Sequence, residues 1–427
     1  MTASTTPRRD RSLDLVTQGY LWTTRLRAAS SDPQADVRLP IRLLGKPALL
    51  VNGEKGVDLF YDSERIQRGG AMPSVVGGGL FGEGSVHGLD GEQHTVRKAM
   101  FVRAAMNRPR VDNLLADAQQ EWAGIIELWR GGEDLSVYDA AVLVYGRSII
   151  RWAGFDVDAE TLDHIATTQA EIVDGFAAAG PAMVQMHRDR KKMDAWFTEQ
   201  VRLARAGEIV VPEGSPFQMV LDHVDADGQP LDDHLAGVEV QNLIRPTIAV
   251  ARFAAFVAMA LAGHPEWRDR VRAETVERGT TIEGPVATAV AEEVRRHFPF
   301  VPLLPSVAKK DFVFEGEQVR KGQRVLLDFY GTNHDENSWD KPGSFDPQRF
   351  LDDPSHRESD HFIPQGGKTA ETGHRCPGEW IAVGLLALTV AELSELAMEL
   401  PSDLDWKMTR MPTMPRDGVR PVSVDKA

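Results

Sequence analysis

The run Gly373-His374-Arg375-Cys376-Pro377-Gly378-Glu379-Trp380 contains the only cysteine among 427 residues. A helical pattern follows it, with Ile381, Leu385, Leu388 and Leu396 along one face of Pro377–Leu396. Pro377 suits the first helical position, so Cys376 precedes a helix and lies beside free backbone N–H groups. The positive end of the helix dipole favours thiolate over thiol, as do His374 and Arg375. Besides a small buried residue, three functional roles stay open for such a sulfur: nucleophile, redox sensor or metal ligand.

A single thiol excludes a disulfide framework, an iron–sulfur cluster and a Cys-rich zinc site. Lysine and arginine total 48 against 63 aspartates and glutamates, a formal charge of −15. Such an acidic chain is not expected to bind nucleic acid or an anionic membrane surface. The start, MTASTTPRRDRSLDL, has no apolar h-region. The apolar stretches Phe253–Gly263 and Trp380–Ala391 fall short of the roughly 18 apolar residues of a membrane span. The expectation is a soluble, cytoplasmic protein without stable membrane insertion.

No linker tract, charge block or fixed-period repeat interrupts the chain, so residues 1–427 read as one domain. Residues 37–61 alternate like strands, broken by Gly-Lys-Pro and Asn-Gly, and predict a small sheet. From about residue 90 the texture is helical: Leu114, Ala118 and Trp122 recur at spacings of four, and Trp196, Val201 and Leu203 less regularly. Asp232 to Gly263 predicts a helix of about 48 Å at 1.5 Å per residue. Short strands are expected near Phe312–Phe314 and Val325–Phe329, with an irregular region from Gly331 to about Gly378. The class is mainly α with minor β, without βαβ alternation. Gly77-Gly78-Gly79-Leu80-Phe81-Gly82 satisfies GxGxxG, but EGSVHGLDGEQ follows it, and no second strand brings an acidic residue. It reads as a flexible Gly-rich loop.

Three further segments bear on the cysteine. Glu293-Val294-Arg295-Arg296 places Glu293 and Arg296 on one helix face, where they can pair. In Phe345-Asp346-Pro347-Gln348-Arg349-Phe350, Arg349 can complete a three-way ion pair. Phe362-Ile363-Pro364-Gln365-Gly366-Gly367 is a turn-rich run leading to the cysteine. Each is weak alone; in this order and spacing they are strong.

With these residues the chain resembles a cytochrome P450 over essentially its whole length, which implies the family's single, mainly helical domain. The resemblance makes Cys376, in the loop 362–380, the axial thiolate of a haem b iron. It implies that His374, His94 and Lys98 reach haem propionates. It makes Glu293, Arg296 and Arg349 a structural set.

The chain departs from the usual family pattern in ways that narrow the resemblance. Phe362 to Cys376 is roughly twice the usual span. The long central helix lacks the acid–alcohol pair that delivers protons for oxygen activation, and reads Asn242-Leu243-Ile244-Arg245-Pro246-Thr247-Ile248 there. Pro246 removes a helical hydrogen bond and predicts a kink. A buried guanidinium at Arg245 needs an anion, either a structural Asp or Glu or a substrate carboxylate held by two parallel hydrogen bonds. Arg-Pro and the long loop resemble the fatty-acid peroxygenase branch. There the carboxylate of a long-chain fatty acid replaces the missing acid, and hydrogen peroxide is the co-substrate without an obligatory redox partner.

Within that branch Phe and His over the haem accompany decarboxylation to terminal alkenes, whereas Gln in place of the His accompanies hydroxylation at Cα or Cβ. The matching residues are Phe81 and His87, so the resemblance implies decarboxylation with some hydroxylation. An unperturbed pKa of roughly 6.5 lets His87 donate a proton or hold water. By the same analogy Phe298 and Phe300 line the channel for the acyl tail. The other readings are a fatty-acid hydroxylase without decarboxylation, a monooxygenase fed by redox proteins, and a non-catalytic haem or lipid carrier.

Overall fold

In the computed structural model, residues 9–72, 74–176, 180–371, 373–401 and 404–425 are described. Apolar residues three and four apart in 108–130 form the helix Arg108–Arg130, which buries Leu114, Ala118 and Trp122 on one face. Its start is fixed by Asn107, whose side chain accepts the Arg110 N–H. Trp196 and Val201 lie on the helix Pro181–Ala206, and the cysteine is followed by the helix Glu379–Ser394. Helices account for 56 % of the structure.

The minor β part is a five-stranded sheet in the order Arg38–Leu43, Lys46–Val51, Arg324–Asp328, Leu303–Ala308, Ile66–Gln67. Only Lys46–Val51 and Arg324–Asp328 pair in parallel, with Leu50 opposite Leu326. A short hairpin, Phe312–Phe314 with Glu317–Val319, and a second antiparallel pair, Ala397–Glu399 with Ser423–Asp425, complete it among the described residues.

Three local expectations change. The sheet expected over 37–61 stops at Val51, and Gly53–Phe60 is a helix. Asn52-Gly53 ends the strand; the hairpin turn is Leu44-Gly45, both at positive φ. Beyond it, buried Val57 and Phe60 recur at three rather than two. The Gly-rich stretch is also helical, Ser74–Leu80. The long central helix is two, Asp233–Ala249 and Ala251–Gly263. Pro246 leaves the Asn242 carbonyl without its helical donor, and the chain tightens in the following turn, where Val250 N–H bonds to Thr247 O at 3.1 Å.

Taken together, Asp233–Gly263 is long and apolar enough to cross a membrane, but 72 % of that apolar window is buried inside the protein. It packs against Pro181–Ala206 and Val137–Ala153 as a core helix. That position places Glu239, Asn242 and Arg245 in the interior, facing the chain around Phe81–His87.

Candidate functional site

The cysteine loop is held from behind by a charged network. Cys376 N–H donates to Gln365 O at 2.9 Å, and Gln365 Oε1 accepts from Arg295 at 2.7 Å. Arg295 also pairs with Glu292 and Glu379, and Glu379 with Arg375. Gly366 lets the loop close: it has φ +102°, and a Cβ there would lie 3.1 Å from Arg375 Cα. Glu292 and Arg295 were missed in the sequence, although Glu292-Glu293 and Arg295-Arg296 present two (i, i+3) pairs on adjacent faces.

The second pair has the geometry expected of it. Arg296 donates to both oxygens of Glu293 at 2.7 Å, and neither side chain is exposed. Arg349 Nε stands 3.4 Å from Glu293 Oε2. The remaining Arg296 donors reach the carbonyls of Asn333, Pro342 and Ser344 at 2.9–3.0 Å.

Cys376, His374, Arg68 and His87 lie deep in the protein yet keep accessible surface, which marks them as lining an internal hollow. Burial pushes the Cys376 thiol up, outweighing the Gly378 N–H and the Lys98 and Arg295 charges. The thiolate expected from the helix terminus alone therefore does not form unaided; a metal's own charge reverses that balance.

Five basic side chains converge on the hollow. His94 and His374 have ring centroids 4.1 Å apart, and Arg68 sits 4.4 Å over the Phe60 ring. Lys98 donates to the Gly373 carbonyl and, at 2.9 Å, to that of Arg375, so it braces the cysteine loop itself. His87 is the fifth. None of the five forms an ion pair with a carboxylate among the described residues. Burial, reinforced by neighbouring cations, lowers His94 to about 4, Lys98 to about 8 and His374 further. A cysteine facing the buried Arg68 and Lys98, neither ion-paired with a carboxylate among the described residues, together with three neutral imidazoles fits an iron porphyrin, which brings a metal and two carboxylates. Arg68 carries no sequence signal of its own; only the fold brings it here.

Phe81 and His87 stack at 4.1 Å with ring planes 21° apart. Burial first, then Arg245 and three other cations, lowers His87 to about 3. That shift favours the neutral imidazole. Arg245 is buried on Asp233–Ala249. One Nη donates to Asn242 Oδ1; Nη1 is buried without any partner. Burial, then the Arg190 charge, holds Arg245 well below the usual arginine value, opposed by Asp194 and Glu239. No carboxylate forms an ion pair with it among the described residues, so the structural-partner alternative has no support.

Phe298 follows directly on the helix Pro285–His297 and is stacked on Phe256 at 4.5 Å with Trp406 beside it, and it borders the same small hollow as Phe300. Phe300 is half-buried against Phe253 at 5.1 Å and lines a small hollow with Arg295 and Tyr330.

The comparisons agree with this geometry. The cytochrome P450 family model matches residues 247–402. Cytochrome P450 4A2 of Rattus norvegicus is 32 % identical over 202 residues, 44 % of this chain and 38 % of the rat protein. The chain thus spans well under half the length of that curated relative. Agreement with solved structures is nearly complete. Ligand-free cytochrome P450 OleT gives a TM-score of 0.90 at 31 % identity, covering 98 % of this chain and 97 % of that one. Wild-type cytochrome P450EX alpha with myristic acid gives 0.88 at 31 % identity, with 98 % of both chains covered. The chain belongs to the cytochrome P450 family, in its fatty-acid peroxygenase branch.

Proposed function

We propose that the protein uses hydrogen peroxide to oxidise long-chain fatty acids at Cα and Cβ, forming terminal alkenes together with 2- and 3-hydroxy acids. The observation that carries this reading is the buried, unpartnered Nη1 of Arg245. In a core position an uncompensated guanidinium is costly, and a substrate carboxylate both neutralises it and accepts its remaining N–H groups. Myristic acid bound to the similar P450EX alpha supports the same substrate class.

When bound, a thiolate-ligated haem supplies the oxidising equivalent of peroxide that removes hydrogen from the acyl chain. Cys376 would hold the iron, with His374, His94, Lys98 and Arg68 around the porphyrin carboxylates. Arg245 anchors the substrate by its carboxylate, so Cα and Cβ are the carbons presented; positioning of this kind lowers the barrier by removing orientational freedom. The carboxylate on Arg245 also stands in for the acid–alcohol pair that the central helix lacks. His87, neutral and stacked on Phe81, offers one ring N–H and one acceptor nitrogen to the same space. Alkene formation consumes one acid and one peroxide and yields alkene, carbon dioxide and two waters. Hydroxylation yields hydroxy acid and one water.

The test is gas chromatography of products from purified haem-loaded protein, hydrogen peroxide and a series of saturated acids, with no reductase present. Alkenes and short-range hydroxy acids are expected. Turnover that requires an external reductase would replace this reading with a redox-partner-dependent monooxygenase. In the same assay, His87→Gln is expected to move product from alkene towards hydroxy acid by several-fold; an unchanged ratio removes His87 from the account.

A further inference from the structure

The segment carrying Phe81 and His87 is fastened to the turn of helix that carries Arg245. Asn242 Nδ2 donates to the Phe81 carbonyl at 3.1 Å. Glu239 Oε1 accepts the Val86 backbone N–H at 2.8 Å, one residue before His87. The two helix residues are joined, since Asn242 Nδ2 also donates to Glu239 Oε2 at 2.9 Å. Arg97 adds a third tie: its Nη1 reaches Glu239 Oε1 at 2.8 Å and the Gly84 carbonyl at 3.3 Å.

Donor and acceptor chemistry gives this cluster a direction. Two acceptors, Glu239 and the Phe81 carbonyl, face the Asn242 amide nitrogen, so its oxygen must face Arg245. A carboxylate at 239 accepts only; an amide there would place a second NH2 against Asn242 and favour the reversed orientation. Glu239 is fully buried, and its charge is met by Arg97. An ion pair serving stability alone would need Arg97, which already has Asp225 as a partner. Here one oxygen is also directed to the loop backbone and the other to the residue that orients Arg245.

We propose that Glu239 is a positioning residue for product choice: it fixes the separation of His87 from Arg245, and so which substrate carbon is presented and what becomes of it. This rests on the fatty-acid reading above. Loosening the tether leaves the carboxylate anchor in place but lets the Phe81–His87 pair shift against the acyl chain.

Two haem-loaded variants test it. Glu239→Gln reverses the polarity at Asn242. Val86→Pro deletes a single hydrogen bond and leaves Glu239, Arg97 and Asn242 intact. Proline is sterically suited to that position, because Ser85 is extended at φ −65°, ψ 161° and residue 86 opens a 3-10 turn. Hydrogen–deuterium exchange of residues 81–88 should be about tenfold faster in both variants. The alkene to hydroxy-acid ratio should change at least about threefold. In Val86→Pro the myristate dissociation constant, read by absorbance titration, should stay within about threefold. Should Glu239→Gln fail to load haem, Val86→Pro decides. Unchanged exchange in Val86→Pro overturns the tether whatever the activity. Faster exchange with an unchanged product ratio overturns the positioning role and leaves a structural one. A wild-type enzyme inactive with peroxide and acid removes the fatty-acid reading instead, a failure that the exchange data keep separate.

Discussion

Replacing Arg245 with leucine is expected to lower kcat/KM for long-chain acids by about 100-fold or more, with haem content unchanged. Loss of a buried, hydrogen-bonded charge pair with substrate corresponds to about 2–5 kcal/mol. Conformational stability should move the other way. Arg245 has no carboxylate partner among the described residues, and its Nη1 has no partner at all. Exchanging such a charge for an apolar side chain relieves an uncompensated desolvation cost. A variant inactive on fatty acids yet at least as resistant to urea as the wild type is the signature of a site residue. Arg245→Lys should fall between the two, because a point charge cannot reproduce two parallel hydrogen bonds. Turnover retained in Arg245→Leu would show that the carboxylate is held elsewhere.

The second large effect concerns Glu293. Glu293→Gln keeps the shape but leaves Arg296, fully buried, without its counter-charge. Breaking one partner of a buried ion pair costs about 3–5 kcal/mol. Three carbonyls remain on Arg296, but they carry no net charge. Arg349 loses its carboxylate as well. The expected result is a large drop in the urea midpoint and poor haem retention. As a control, Glu199→Gln removes the exposed pair with Arg202 and should change stability by less than about 1 kcal/mol. A Glu293→Gln protein as stable as this control would mean that the buried set is held by its carbonyls rather than by its charges.

Much of this was legible in the residues themselves, where a signal is local. Spacings of three and four named the helices, because the apolar stripe of an amphipathic helix is written directly in the chain. The cysteine loop, the Glu293–Arg296 pair and Arg245-Pro246 were equally visible, since each is a short motif with its own chemistry. The misreadings share a cause. Gly53–Phe60 is short and carries two glycines, and Ser74–Leu80 carries three glycines and two valines, so neither shows a clear helical preference in the sequence. An aromatic after a helix, such as Phe298, can face core or channel, and its contacts with Phe256 and Trp406 exist only in the fold.

By itself, the sequence determined the mainly helical class, a lone cysteine just ahead of a helix and the presence of a costly arginine in an apolar helix. These follow from residue type and periodicity, which need no knowledge of distant neighbours. Only the tertiary structure decided whether Arg245 had a partner, that Arg68 joins Lys98 near Cys376, and that the surroundings of His87 disfavour its protonated form. It alone tied Glu239 to Val86, 153 positions apart in the chain. Charge compensation and burial are sums over everything within a few ångströms, so they exist only once the chain has folded.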